Sequence, residues 1–139
     1  MQEPMAQILL IGGELPLLEG LAQSFAALGF RPVVAQTLHE GRDLATHDAP
    51  LVAVVSRRLA AESSAEALSI PLAPGGALVL FRELSSSLVT LSPTVQRSVL
   101  ADLTLPLERN RLFALVQHVG ERARARGRGT PDSGLRVEG

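Results

Sequence analysis

The sequence predicts one α/β domain, a three-layer sandwich in which a five-stranded parallel sheet of order 2-1-3-4-5 lies between helices. Three observations carry that expectation. Short apolar segments alternate five times with segments of helical periodicity along the 139 residues. The plainest of the apolar segments are uninterrupted runs, as strands buried on both faces require. The connections are short, which leaves right-handed crossovers that place helices on both sides of one sheet. The length suits a single domain.

Each element has its own warrant. Ile8 to Ile11, "ILLI", is the first strand. Leu17, Leu18, Leu21, Phe25 and Leu28 then fall on one face at helical spacing, with Pro16 suited to the first turn and Gly29 to the C-terminal cap. "FRPVVAQ" reads as the second strand, and Pro32 places it at an edge or at its own beginning. Thr37 and Glu40 have the spacing of a capping box, so a second helix is expected from Leu38 to near His47. Leu51 to Val55, "LVAVV", is a β-branched run that predicts a central strand. "AESSAEAL" allows a short helix, and Ala77 to Phe81 gives the fourth strand after "PLAPGG".

Between Glu83 and Val99 the signals compete. "SLVTLS" alternates as a strand does, while Ser92 and Pro93 open "SPTVQRSVL" as a cap and first turn open a helix; a short or distorted helix is the expectation. "ADLTLPL" is the fifth strand and its exit. Leu112, Leu115, Val116 and Val119 line one face of a last helix. The domain is expected to span residues 1–121, and the arginine- and glycine-rich residues 122–139 to form a flexible tail that frays after about Ala125.

Composition narrows the chemistry. All 13 basic residues are arginine, so no amine is present for a Schiff base, and with no cysteine there is neither a thiol nucleophile nor a thiolate metal site. The cysteine count also fits a cytoplasmic protein. Four aspartates are present, Asp43, Asp48, Asp102 and Asp132. A net charge of -1 argues against a broad nucleic-acid surface, and no run approaches the ~20 apolar residues of a membrane span.

With these elements in place, the chain resembles the receiver domain of response regulators from Ile8 to about Val119, a flavodoxin-like fold. "ILLIGGELPLLEGLAQSFAALGF" is similar to that family's first strand, acidic turn and first helix. "APLVAVVSRRLA" is similar to its third strand and phospho-acceptor turn, and "DLTLPLERNRLFALV" to its fifth strand, Lys-Pro step and last helix. In the family an acid pair after the first strand holds magnesium, an aspartate after the third strand accepts a phosphoryl group, and a lysine precedes the proline.

The resemblance puts the acid pair on Gly12 and Gly13, with the following Glu14 kept. The acceptor falls on Ser56 and the lysine on Leu105, while Pro106 matches the proline. The family's hydroxyl residue after the fourth strand falls near Phe81 or Arg82, and its aromatic switch residue on Asp102. The three chemical roles of acid pair, phospho-acceptor and lysine are therefore lost in this alignment. The resemblance implies a degenerate receiver, a non-enzymatic interaction module in bacterial signalling. It needs no cofactor or metal, and its partner is a protein, itself included, through a homodimer on the last-helix face. The candidate interface is Asp102, Arg109, Arg111 and Phe113.

The residues support the loss of chemistry without the resemblance. One glutamate beside two glycines offers a hard divalent cation a single side-chain ligand, and phosphoryl transfer without metal or lysine loses most of its electrostatic stabilisation. A different class of function remains open: a small ligand or nucleotide bound by the N–H groups of the Gly12-Gly13 turn. Against it, the turn matches neither common phosphate-loop pattern, and Pro16 removes a donor. Ser56 lacks the glycines of a nucleophile elbow and is expected to be a solvated or turn-bonding serine. His39, His47 and His118 are scattered and read as surface residues. The arginine-rich tail has no aromatic residue for base stacking and reads as solvated.

Overall fold

A computed structural model describes residues 6–62, 69–83, 93–97 and 99–133. The elements in chain order are β1 (Gln7–Ile11), α1 (Leu15–Ala27), β2 (Arg31–Ala35), α2 (Leu38–His47), β3 (Val52–Ser56), α3 (Arg57–Ala61), β4 (Ala77–Glu83), α4 (Pro93–Arg97), β5 (Ala101–Leu105) and α5 (Arg109–Ser133). The five strands form one parallel sheet in the order β2-β1-β3-β4-β5, as expected. Among the described residues no helix is long and apolar enough to cross a membrane.

Alternation along each strand divides the core in two. Ile8, Leu10, Val52, Val54, Val79, Phe81, Leu103 and Leu105 face α1 and α5, meeting Leu18, Leu21, Phe25, Leu112 and Val116. Leu9, Ile11, Ala53, Val55, Leu78 and Leu80 face the other way, toward Leu38 and Ala45 of α2 and Ala60 of α3. β1 and β3 are buried at every position, which is why they read as unbroken apolar runs.

Local signals set most boundaries. Thr37 accepts a hydrogen bond from the Glu40 N–H at 3.1 Å, and the Glu40 carboxylate accepts one from the Gln36 N–H at 3.0 Å, so α2 begins with a capping box. Gly29 turns the chain after α1 with φ of 96°, a conformation that strains any residue with a Cβ.

Several expectations are corrected. α1 starts at Leu15 and ends at Ala27, with Leu28 as its C-cap, still in helical conformation but 43% exposed where the apolar face was expected to bury it. β3 is shifted one residue, to Val52–Ser56. α3 begins directly after that strand, upstream of most of "AESSAEAL"; residues 63–68 lie outside the described residues. β4 continues through Phe81 and Arg82 to Glu83, so neither of the two lies beyond the strand. The expected cap Ser92 and the alternating "SLVTLS" fall outside the described residues, while Pro93 does open α4. The helix α5 itself extends from Arg109 to Ser133.

Candidate functional site

In a parallel sheet all strands deliver their last residues to one edge, where α/β folds build their sites. Here that edge gathers the turn Gly12-Gly13-Glu14 after β1, Ser56 at the end of β3 and Leu105 at the end of β5. Ser56 is 2% exposed, so of the two expectations, a solvated or a turn-bonding serine, the solvated one does not hold. Its hydroxyl donates to Glu14 Oε2 at 3.1 Å, so the serine joins the ends of two neighbouring strands. Glu14 Oε1 is buried with no hydrogen-bond partner.

Packing explains the buried glycine. The Gly12 N–H donates to the Ala35 carbonyl at 3.0 Å, holding the turn against the end of β2. A Cβ on Gly12 would lie 2.6 Å from Glu14 Oε1, 3.1 Å from Ser56 Cβ and 3.3 Å from Phe81 Cζ. Phe81 stands opposite Ser56 in the β3–β4 register and is fully buried. The space a side chain at position 12 would use is thus already filled. Gly13 differs: it is exposed, and a Cβ there would meet nothing within 4 Å.

Leu105 is fully buried in the same apolar cluster as Phe81. Among the described residues the edge therefore presents the Glu14 carboxylate, already bonded to a serine, and that of Glu83, the last residue of β4, opposite the buried Leu105 in the β4–β5 register. That set is poor for a hard cation, which seeks several oxygen ligands, and it offers Ser56 no basic nitrogen to take its proton. The Ser56–Glu14 bond ties the end of β3 to the turn after β1.

The expected interface residues lie on β5 and the start of α5. Asp102 pairs with Arg57, the residue after Ser56, so an ion pair crosses β4 from the β3–α3 junction to β5. Glu108 accepts from the Thr104 N–H at 2.7 Å and pairs with Arg111 at 2.9 Å, folding the turn that follows the cis Leu105–Pro106 peptide. The Thr104 N–H first and the Arg111 guanidinium second hold the Glu108 carboxyl below its ordinary value of 4.5. Because the folded pKa is depressed, its contribution to stability is present above that ordinary value and fades as the pH falls through the folded one. Arg109 and Arg111 are exposed. Phe113 is half-buried, its ring edge-on to Phe25 at 5.2 Å, so one side of it belongs to the core.

Sequence reasoning missed Phe81 as a filler, the Ser56–Glu14 bond and the exposure of Leu107. The Leu107 signal was available, since this 73% exposed residue sits between Pro106 and the start of α5, off the stripe of Leu112 and Val116.

No family sequence profile and no curated protein sequence matches the chain. Solved structures do. A CheY-like response regulator receiver domain from Methylobacillus flagellatus superposes with a TM-score of 0.65 at 12% identity, over 84% of this chain and 99% of that one. A signal receiver domain from Vibrio parahaemolyticus gives 0.68 at 17% identity, over 89% and 96%. The chain has the response regulator receiver fold. The beryllofluoride-activated NtrC4 receiver domain, solved as a dimer, matches with 0.62 at 16% identity, over 85% and 98%. Within the receiver fold of this chain, Gly12, Glu14, Ser56 and Leu105 meet at one edge of the sheet, while Asp102, Arg109, Arg111 and Phe113 lie along β5 and α5.

Proposed function

We propose that the chain is a phosphorylation-independent pseudo-receiver, a protein–protein interaction module of signal transduction and not an enzyme. The observation that carries this reading is the filled edge of the sheet: Phe81, Leu105 and the Ser56–Glu14 hydrogen bond occupy the place where phosphoryl chemistry needs carboxylates, metal and a cation. An intact receiver framework without reactive groups leaves binding as its output. The face that supports a partner combines Asp102, Arg109 and Arg111 with the free side of Phe113 and with Leu107, since arginine and aromatic anchors are enriched where interfaces carry their energy.

Acetyl phosphate with magnesium is expected to leave both the intact mass and the melting temperature unchanged. A magnesium-dependent mass gain mapping to Ser56 would overturn the reading. The binding half is tested with Leu107→Ser and Arg109→Glu together, both exposed, sparing the Phe113 contact with Phe25. Self-association seen by light scattering, or a complex with a captured partner, should be lost while circular dichroism is retained. A complex that survives both substitutions removes this face from the reading.

A further inference from the structure

The opposite, N-terminal edge of the sheet holds a cleft of about 250 Å³ between the start of β4, the residue before β5 and the second half of α5. Its walls are Ala77, Leu100, Val119 and Ala123, its floor is Gly76, and Arg122 stands at its side. The floor has to be glycine, because a Cβ on Gly76 would lie 2.5 Å from the Leu51 carbonyl oxygen and 2.8 Å from that of Ala73. Leu100 is held by its N–H bond to the Leu78 carbonyl at 2.7 Å, yet its side chain is 55% exposed. Arg122 and Arg124 are exposed and make no ion pair among the described residues.

We infer that this cleft is a docking site for an acidic peptide segment of a partner protein, with one apolar side chain seated against Leu100 and a flanking carboxylate on Arg122. The volume is below the range of about 300–1,000 Å³ usual for whole small-molecule ligands and suits a single anchoring side chain. Charge selects the rest. The sequence of α5 carries six arginines against Glu121 and Asp132, and one of the six, the exposed Arg122, lines the cleft. An isolated guanidinium at the mouth of an apolar cleft pairs best with a planar carboxylate.

A second copy is a poor occupant. Its most exposed apolar side chain, Leu107, is followed by Arg109 and Arg111, which would be brought against Arg122 and Arg124. Nucleic acid fits poorly too, because the cleft walls are aliphatic and offer no aromatic surface for stacking. The inference rests on the interaction-module reading only in requiring a partner, and it fails independently, since docking here does not depend on what Ser56 can accept.

The test is fluorescence anisotropy on the full chain with a fluorescein-labelled peptide of alternating aspartate and glutamate around one central leucine. Micromolar to submillimolar binding is expected. It should weaken at least tenfold when the leucine is replaced by serine or the acids by their amides. Leu100→Ser and Arg122→Glu, both at exposed positions, should each weaken it at least fivefold with unchanged circular dichroism. Absence of binding at millimolar peptide, equal binding of the amide peptide, indifference to both protein substitutions, or displacement by oligothymidylate at lower concentration than by unlabelled peptide would each overturn the inference.

Discussion

Leu105→Lys is expected to lower the melting temperature by on the order of 10 °C or more, without conferring phosphoryl chemistry. Leu105 is fully exposed to the core and not to water: its relative accessibility is 0%, and it packs among Phe81, Leu103 and Leu112. An ammonium in that place leaves bulk water, and an uncompensated buried charge costs about 3–5 kcal/mol. Of the carboxylates at this edge, Glu14 already accepts the Ser56 hydroxyl, and a lysine that recruited it would break that bond, while Glu83 is the half-buried last residue of β4. Leu105→Met separates charge from shape, since a volume-conserving swap should cost under about 1.5 kcal/mol. Thermal unfolding of both variants at neutral pH is the measurement. A lysine variant that melts with the wild type would mean that water reaches the edge, and the filled-pocket account would fall with it.

How much of this was legible in the sequence differs by element. β1 and β3 are buried on both faces, so composition alone marks them, and Thr37 and Glu40 mark the start of α2 because a capping box acts within four residues. Leu28 keeps helical conformation yet is exposed, because spacing marks a face of the helix and not how far along it the core extends. At the candidate site the sequence shows which side chains are present: Gly12, Gly13 and Leu105 carry no polar side-chain group, and Ser56 a hydroxyl in place of a carboxylate. What packs around them was not legible, because it depends on register. Only the pairing of Ser56 with Phe81 shows that an aromatic ring closes the floor, and only the tertiary packing of α1 on α5 brings Phe25 to Phe113. Contacts between residues far apart in sequence leave no periodic trace, so the residue types at the edge could be read and the packing around them could not.

That packing makes the two glycines of the first turn unequal, and the second large effect follows. Gly13→Asp should leave stability within about 0.5 kcal/mol of wild type, as exposed substitutions with open space around them do. Gly12→Ala should cost about 1–3 kcal/mol, the usual range for overpacking a filled site. Glu14 can swing away only by releasing Ser56, and neither Ser56 Cβ at 3.1 Å nor the Phe81 ring at 3.3 Å yields without moving its strand. Gly12→Asp should cost more than either, because it adds a carboxylate next to Glu14 in a place with no cation. Its excess over Gly12→Ala is electrostatic and should shrink in acid: a folded-state pKa raised by a like charge penalises folding above the unfolded pKa and not below it. A double-mutant cycle then locates the steric part. If the Phe81 ring is what excludes a Cβ from position 12, Gly12→Ala should cost less in a Phe81→Leu background, with a coupling above the ~0.5 kcal/mol within which independent sites add. Additive costs, together with a Gly12→Asp variant as stable as Gly13→Asp, would show that the edge is open and that the glycines serve only the turn.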